Sequence, residues 1–218
     1  MRNKIDSLLN SAESKVLNSL DSPIKIQSFL NSIPYSDDNF YRCPLRVLRD
    51  RKGHCFDGAL FAAMALRRSG RAPLIMELIP NRRDDDHVIA LYKENHCWGA
   101  IAQSNFTGLR FREPVYHSLR ELVMSYFEDF FNSAGEKTLV GYRSSIDLKV
   151  FDSLDWMISD DNLEKLSVGM DRYKIHPLIS KEMAMRLSPV DERCLRAGLR
   201  SEERRVGKEC RSRWSPYH

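Results

Sequence analysis

No stretch of this chain approaches the ~18 consecutive apolar residues of a membrane span. The opening MRNKIDSLLNSAESK lacks the apolar core of a secretory signal. No CxxC pair occurs. The five cysteines, Cys43, Cys55, Cys97, Cys194 and Cys210, are scattered and odd in number. That spacing argues against a disulfide framework and for free thiols in a reducing cytoplasm. Internal repeats and low-complexity tracts are missing too. What remains is a chain of 218 residues, 42% hydrophobic and 29% charged, the composition of a globular protein able to bury a core without staples.

A positive surplus is also missing once the charges are located. Lys and Arg number 34 and Asp and Glu 30. The last nineteen residues, RSEERRVGKECRSRWSPYH from position 200, hold six and three of these, which leaves 28 and 27 in residues 1–199. This tail resembles the in-frame translation of a common sequencing adapter, so it is expected to be artefactual and to make no core contacts. The remainder carries no basic excess with which to neutralise phosphates, and nucleic acid is not an expected partner. Residues 1–199 then read as a single domain with its core at about 22–180, and the native chain is expected to continue past Leu199.

Periodicity divides the body into elements. Residues 3–20 carry Ile5, Leu8, Leu9, Val16 and Leu20 at helical spacing. A second helix follows, with Ser22 as cap, Pro23 in its first turn and Pro34 beyond its end. DDNFYRCP reads as a loop and LRVLRDRKG as a short helix or turn. CFDGALFAAMALRRSG is Ala-rich and apolar around most of its circumference, which predicts a central buried helix. Asp57 stands in its first turn, Arg67 and Arg68 in its last, and Gly70 follows as a left-handed cap. APLIMELI reads as a buried strand. HVIALYKENHCWGAIAQSN reads as two strands joined by a tight turn near Glu94–Asn95. LRELVMSYFEDFFN predicts one helix with Leu119, Leu122, Val123, Tyr126, Phe127 and Phe130 on one side. Residues 137–158 are mixed, and 160–187 suggest one or two more helices around His176–Pro177.

Cys55 and His87 carry the candidate chemistry. A cysteine attacks as its thiolate, and unpaired N–H groups at a helix start favour that anion. Cys55 stands at such a start, and His87 opens the next strand but one, where a side chain can project over a helix end as base. A third group would orient the imidazole. The turn near Glu94–Asn95 brings residues 103–105 alongside His87, with Asn105 favoured and Gln103 and Ser104 open, because a register step of one flips the face. Trp98, Arg110 and Arg112 are candidate substrate contacts. The two arginines of RFREP could clamp an anionic group, or simply pair with the chain's abundant carboxylates.

This order of Cys, His and polar residue, with the phrases HCFDGALFAA, DDDHVIAL, WGAIAQSNF and LRFREPVY, resembles the transglutaminase-like, papain-related cysteine superfamily. The likeness is to a bacterial transglutaminase-like domain family of undefined activity, over roughly residues 22–180. It implies an α+β fold in which the Cys-bearing helix packs on a small antiparallel sheet, with extra helices at both ends. It implies Cys55 as nucleophile, His87 as base, and acyl transfer from a peptide or other amide to water or an amine, with no cofactor. The superfamily usually has an aspartate after the third strand, and none stands between Trp98 and Asn105. Two alternatives accompany the enzyme: a non-catalytic binding module on the same fold, and a structural zinc protein using His54, Cys55, His87, His96 and Cys97. Cys43 and Cys194 read as core or surface thiols.

Overall fold

A computed structural model describes residues 4–198; the tail from Arg200 lies outside them. The N-terminal region is two pieces rather than one helix. A 3₁₀ turn spans Lys4–Leu8, and α1 runs Ser11–Ser19. Asn10 divides them, because its side chain accepts from the Glu13 N–H while Glu13 accepts from the Asn10 N–H, and such a reciprocal cap fixes a helix start. Next come α2 (Pro23–Asn31) and α3 (Pro44–Asp50), each with proline in its first turn.

The central helix α4 spans Cys55–Arg68, and every residue from Phe56 to Leu66 is buried. A fully buried circumference explains its run of small residues: Ala and Gly let neighbours approach from all sides. Its end is a Schellman closure, with Gly70 at φ +86° and the Arg71 N–H bonded to the Leu66 carbonyl.

Seven strands follow: β1 (Leu74–Pro80), β2 (His87–Glu94), β3 (Cys97–Ile101), β4 (Arg112–Tyr116), β5 (Leu139–Arg143), β6 (Ile146–Asp147) and β7 (Ile175–Pro177). They form one antiparallel sheet in the order β4-β3-β2-β1-β5-β7, with β6 also on β1. The β2–β3 turn is Asn95–His96, one position later than expected, and both residues have positive φ (49° and 66°). That pair of left-handed residues matches the right-handed twist of a two-residue hairpin.

The remaining helices are α5 (Leu119–Met124), α6 (Leu163–Met170), α7 (Lys181–Ala184) and α8 (Glu192–Gly198). None of the described helices is long and apolar enough to cross a membrane. The single helix expected from Leu119 stops at Met124 because Arg112 reaches into its end. The Arg112 guanidinium donates to Ser125 Oγ (2.9 Å) and to the Ser125 carbonyl (3.0 Å). Residues 127–129 then continue as a 3₁₀ turn.

The sheet is packed on both faces, so the chain is α+β with a helical layer on each side. Val88, Ala90 and Tyr92 of β2 join the cluster built on α2, α3 and α4. Ile89 and Leu91 join the opposite cluster, with Leu122, Val123, Tyr126 and Phe130. At Gly58, in the first turn of α4, an added Cβ would fall 2.4 Å from the Gln103 Cβ. This close approach seats the start of α4 against the chain leaving β3.

Gly58→Ala tests the seating. In an unobstructed helix the change would stabilise by about 0.5–1 kcal/mol. Overpacking against Gln103 instead predicts a loss of about 1–3 kcal/mol, read as a lower urea midpoint at unchanged slope.

Candidate functional site

Cys55 is the first residue of α4 and is only half-buried. Its Sγ lies 3.9 Å from the Asp86 carbonyl oxygen, at the start of β2. The helix start is organised by His54 and Asp57. His54 Nδ1 accepts from the Phe56 N–H at 3.2 Å, and the Asp57 carboxylate accepts from the backbone N–H groups of His54 (3.2 Å) and Arg42 (2.8 Å). The second His54 nitrogen faces Asp57 Oδ1 at 3.4 Å. Burial pushes Asp57 up to about 7 and, with the nearby Arg42 charge adding to it, His54 down to about 4. The cap was overlooked in the sequence, although His-x-x-Asp has the spacing of a capping box.

His87 is also fully described, and it lies on the other face of the sheet. It pairs with Leu78 and shares the parity of Ile89 and Leu91, away from α4. Its Nε2 is 2.9 Å from the Leu109 carbonyl, and its ring meets Phe130 edge-on at 6.4 Å. Burial, opposed by the bond to Leu109, pushes it down to about 4, so the imidazole is neutral at pH 7. The pairing expected between Cys55 and His87 is therefore not formed in this arrangement. The reason is parity: Val88, Ala90 and Tyr92 must face α4, and a period of two sends His87 the other way.

Leu109 supplies the acceptor for His87 that residues 103–105 were expected to give. Ser104 Oγ accepts from the Phe106 N–H. The side-chain oxygens of Gln103 and Asn105 are buried with no hydrogen-bond partner. Of the three, Gln103 is the one against the first turn of α4, with its Nε2 donating to the Ile33 carbonyl at 3.2 Å.

The other expected contacts lie elsewhere. Trp98 is on the face opposite α4, under the Lys93 ammonium at 5.0 Å. Arg112 is committed to Ser125, to the Gly108 carbonyl at 2.9 Å and to the Tyr126 ring at 3.9 Å. Arg110 binds the Ser104 carbonyl at 2.6 Å and the Asn31 side chain. Both arginines thus hold the structure together. No three His, Cys, Asp or Glu side chains converge as a metal site among the described residues. Cys97 instead sits 3.6 Å from His117 Nδ1. Cys43 is buried, which pushes its thiol up to about 12, and Cys194 is exposed.

Next to Cys55 is a further polar residue, immediately before β2. Asp86, the last of the three aspartates, shares the α4 face with Glu77 of β1. Arg143 of β5 donates to Glu77 at 2.5 Å and to Asp171 at 2.9 Å. Burial, reinforced by the neighbouring Glu77 carboxylate, raises Asp86 to about 8.

These shifts give a pH signature. The raised carboxyls of Asp86 and Asp57 contribute stability that is fully present below about pH 4 and is lost as pH rises through about 7–8. The depressed imidazoles of His54 and His87 contribute stability present above about pH 6.5 and lost as pH falls through about 4. The two pairs oppose each other between about pH 4 and 6.5, so thermal unfolding is expected to vary little there and to move to lower temperature from pH 6.5 to 8.5. Asp86→Asn should flatten that alkaline fall. His87→Gln should start the fall at lower pH. An alkaline limb unchanged by Asp86→Asn would show that Asp86 does not titrate against Glu77.

No family model matches the chain, and no curated protein sequence matches it. Among solved structures, Legionella pneumophila LapG is similar at 14% identity and a TM-score of 0.41, over 71% of this chain and 91% of that one. The EGTA-treated form of LapG gives 14% identity and a TM-score of 0.40, over 71% and 92%.

Proposed function

We propose that this protein carries a reactive thiol at Cys55 and performs acyl transfer of the transglutaminase-like type on a peptide or other amide. The observation that carries the reading is a half-exposed cysteine at the first position of a fourteen-residue helix, where the helix dipole favours a thiolate. In the reaction the Sγ anion adds to the amide carbonyl carbon. The C–N bond breaks, the amine departs with a proton, and water or a second amine then takes the acyl group from sulfur.

Gln103 is the better candidate than Asn105 for the polar partner, because its amide is packed at the first turn of α4. Its carbonyl oxygen is buried without a donor, and such a group is an opening for an incoming N–H. The base remains the weak part. His54 has its Nδ1 lone pair engaged by the Phe56 N–H, and His87 is turned to Leu109. An imidazole near pKa 4 holds a proton too weakly to maintain a thiolate–imidazolium pair, so turnover by this route would be slow. The position of His87 favours a second reading, a non-catalytic binding module in which Cys55 is an ordinary thiol.

Alkylation separates the two. With iodoacetamide and peptide mass mapping, the enzyme reading expects the pH midpoint of Cys55 modification to fall at least one unit below the ordinary thiol value of about 8.5. Gln103→Ala should lower the rate at pH 7 about threefold to tenfold, and Asn105→Ala should leave it nearly unchanged. A Cys55 midpoint at or above 8.5 would establish the binding module instead.

A further inference from the structure

The sheet face that carries Cys55 is only partly roofed. α4 covers β2 and the near part of β1, and the face formed by the end of β1 with β5 and β7 opens into a cavity of about 660 Å³. That is within the ordinary range for a ligand site. Its floor is Ile79, Gly141, Ile175 and Pro177. Arg82 from the β1–β2 loop and Lys181 from α7 stand on its rim, and the lining contains no carboxylate. Arg83, also on the rim, is paired with Glu136 at 2.7 Å. Ile175 is 47% exposed although it stands on this floor.

The strand registers connect the cavity to the thiol. Ile79 pairs with Gly141, and Gly141 with Pro177. The β1–β2 ladder ends at Leu78 and His87, so one further step sets Asp86 opposite Ile79. Asp86, Ile79, Gly141 and Pro177 thus form one row across four strands on the α4 side. At about 4.8 Å per strand the row is about 14 Å long. Cys55 stands at its Asp86 end, and the cavity occupies the rest.

We propose that this cavity is the side-chain subsite for the acyl donor: a peptide segment with a large apolar residue seated on Ile79 and Ile175, and an adjacent acidic residue held by Arg82 and Lys181. The main chain of that segment would follow the row toward Cys55. The identification as a donor subsite rests on the acyl-transfer reading, whereas binding at the cavity does not need a reactive thiol. Charge complementarity selects the occupant, because two cations without a carboxylate beside an apolar floor match an apolar–acidic ligand and reject a basic one.

Binding is measured directly, by fluorescence anisotropy on the whole chain with a labelled Glu-Leu-Glu-Leu-Gly-Gly probe and a counterpart carrying Lys for Glu. The acidic probe is expected to bind at least tenfold more tightly than the basic one. Ile175→Glu, and Arg82→Glu combined with Lys181→Glu, should each weaken it at least tenfold with unfolding temperatures within a few degrees of the parent. These substitutions are at the surface, and amide chemical shifts of Val140 and Gly141 should move on binding. Equal binding of the two probes, or affinity unchanged by either variant, overturns the proposal. Decanoate binding, read by the same Val140 and Gly141 amide shifts, with no peptide binding would overturn the proposal and assign the cavity to an anionic lipid. A concentration-dependent dimer abolished by Ile175→Glu would assign it to a second copy. Peptide binding with an ordinary Cys55 midpoint would keep the cavity as a peptide site and remove the acyl-transfer reading. An activated Cys55 with no peptide binding would do the reverse.

Discussion

The contact between α4 and β2 constrains everything else. The helix offers Ala, Gly, Leu and Phe on all sides, and the strand answers with Val88, Ala90 and Tyr92. Close packing leaves no freedom to shift that strand by one residue, because a slip would drive Ile89 and Leu91 out of the second core. The same contact sets which side chains meet the sulfur. It brings Asp86 to Cys55 and carries His87 to Leu109 and Phe130. The polar surroundings of the thiol are thus a by-product of hydrophobic packing, and altering them means altering parity, not exchanging one residue for another.

Two sets of ionisable groups occupy the two ends of that constraint. On the α4 side, Asp86, Glu77, Arg143 and Asp171 form a chain that ties β1 to β5 and to the end of α6. On the opposite side the His87 imidazole, kept neutral by burial, bonds to the Leu109 carbonyl. The buried Glu77 carboxylate must be paired to be tolerated, and Arg143 supplies the pairing. A buried histidine needs only to lose its proton. The sheet thus uses one solution on each of its faces.

The elements legible in the sequence were those whose signals are local. The Ala-rich run gave α4, Gly70 gave its end, and the apolar runs gave β1, β2 and β3. The candidate nucleophile was legible for the same reason, since a helix start is a local event. Elements defined by distant partners were not legible. Leu78 of β1 pairs with Tyr142 of β5, 64 positions on, and β7 is three residues long inside a segment that reads as helical. The end of α5 depended on Arg112, from the preceding strand. The facing of His87 was decided by one step of parity, which a pattern of apolar residues on both faces of a fully buried strand does not reveal. Gln103 was in view but ranked below Asn105, because its proximity to Gly58 exists only once the helix and sheet are packed.

The strand order also sets a timetable. β1, β2 and β3 are neighbours in sequence and can zip as they leave the ribosome, with α4 already made. β5, which joins the far side of β1, starts 38 positions after β3 ends, and β7, which adds to β5, starts 74 positions after. Loop closure over such a span is slow compared with forming a hairpin. The Cys55 end of the sheet is thereby assembled early, and its outer flank, held by a three-residue strand, is completed last. Native-state exchange should visit these steps in reverse, with the amides of β7 opening long before those of β2.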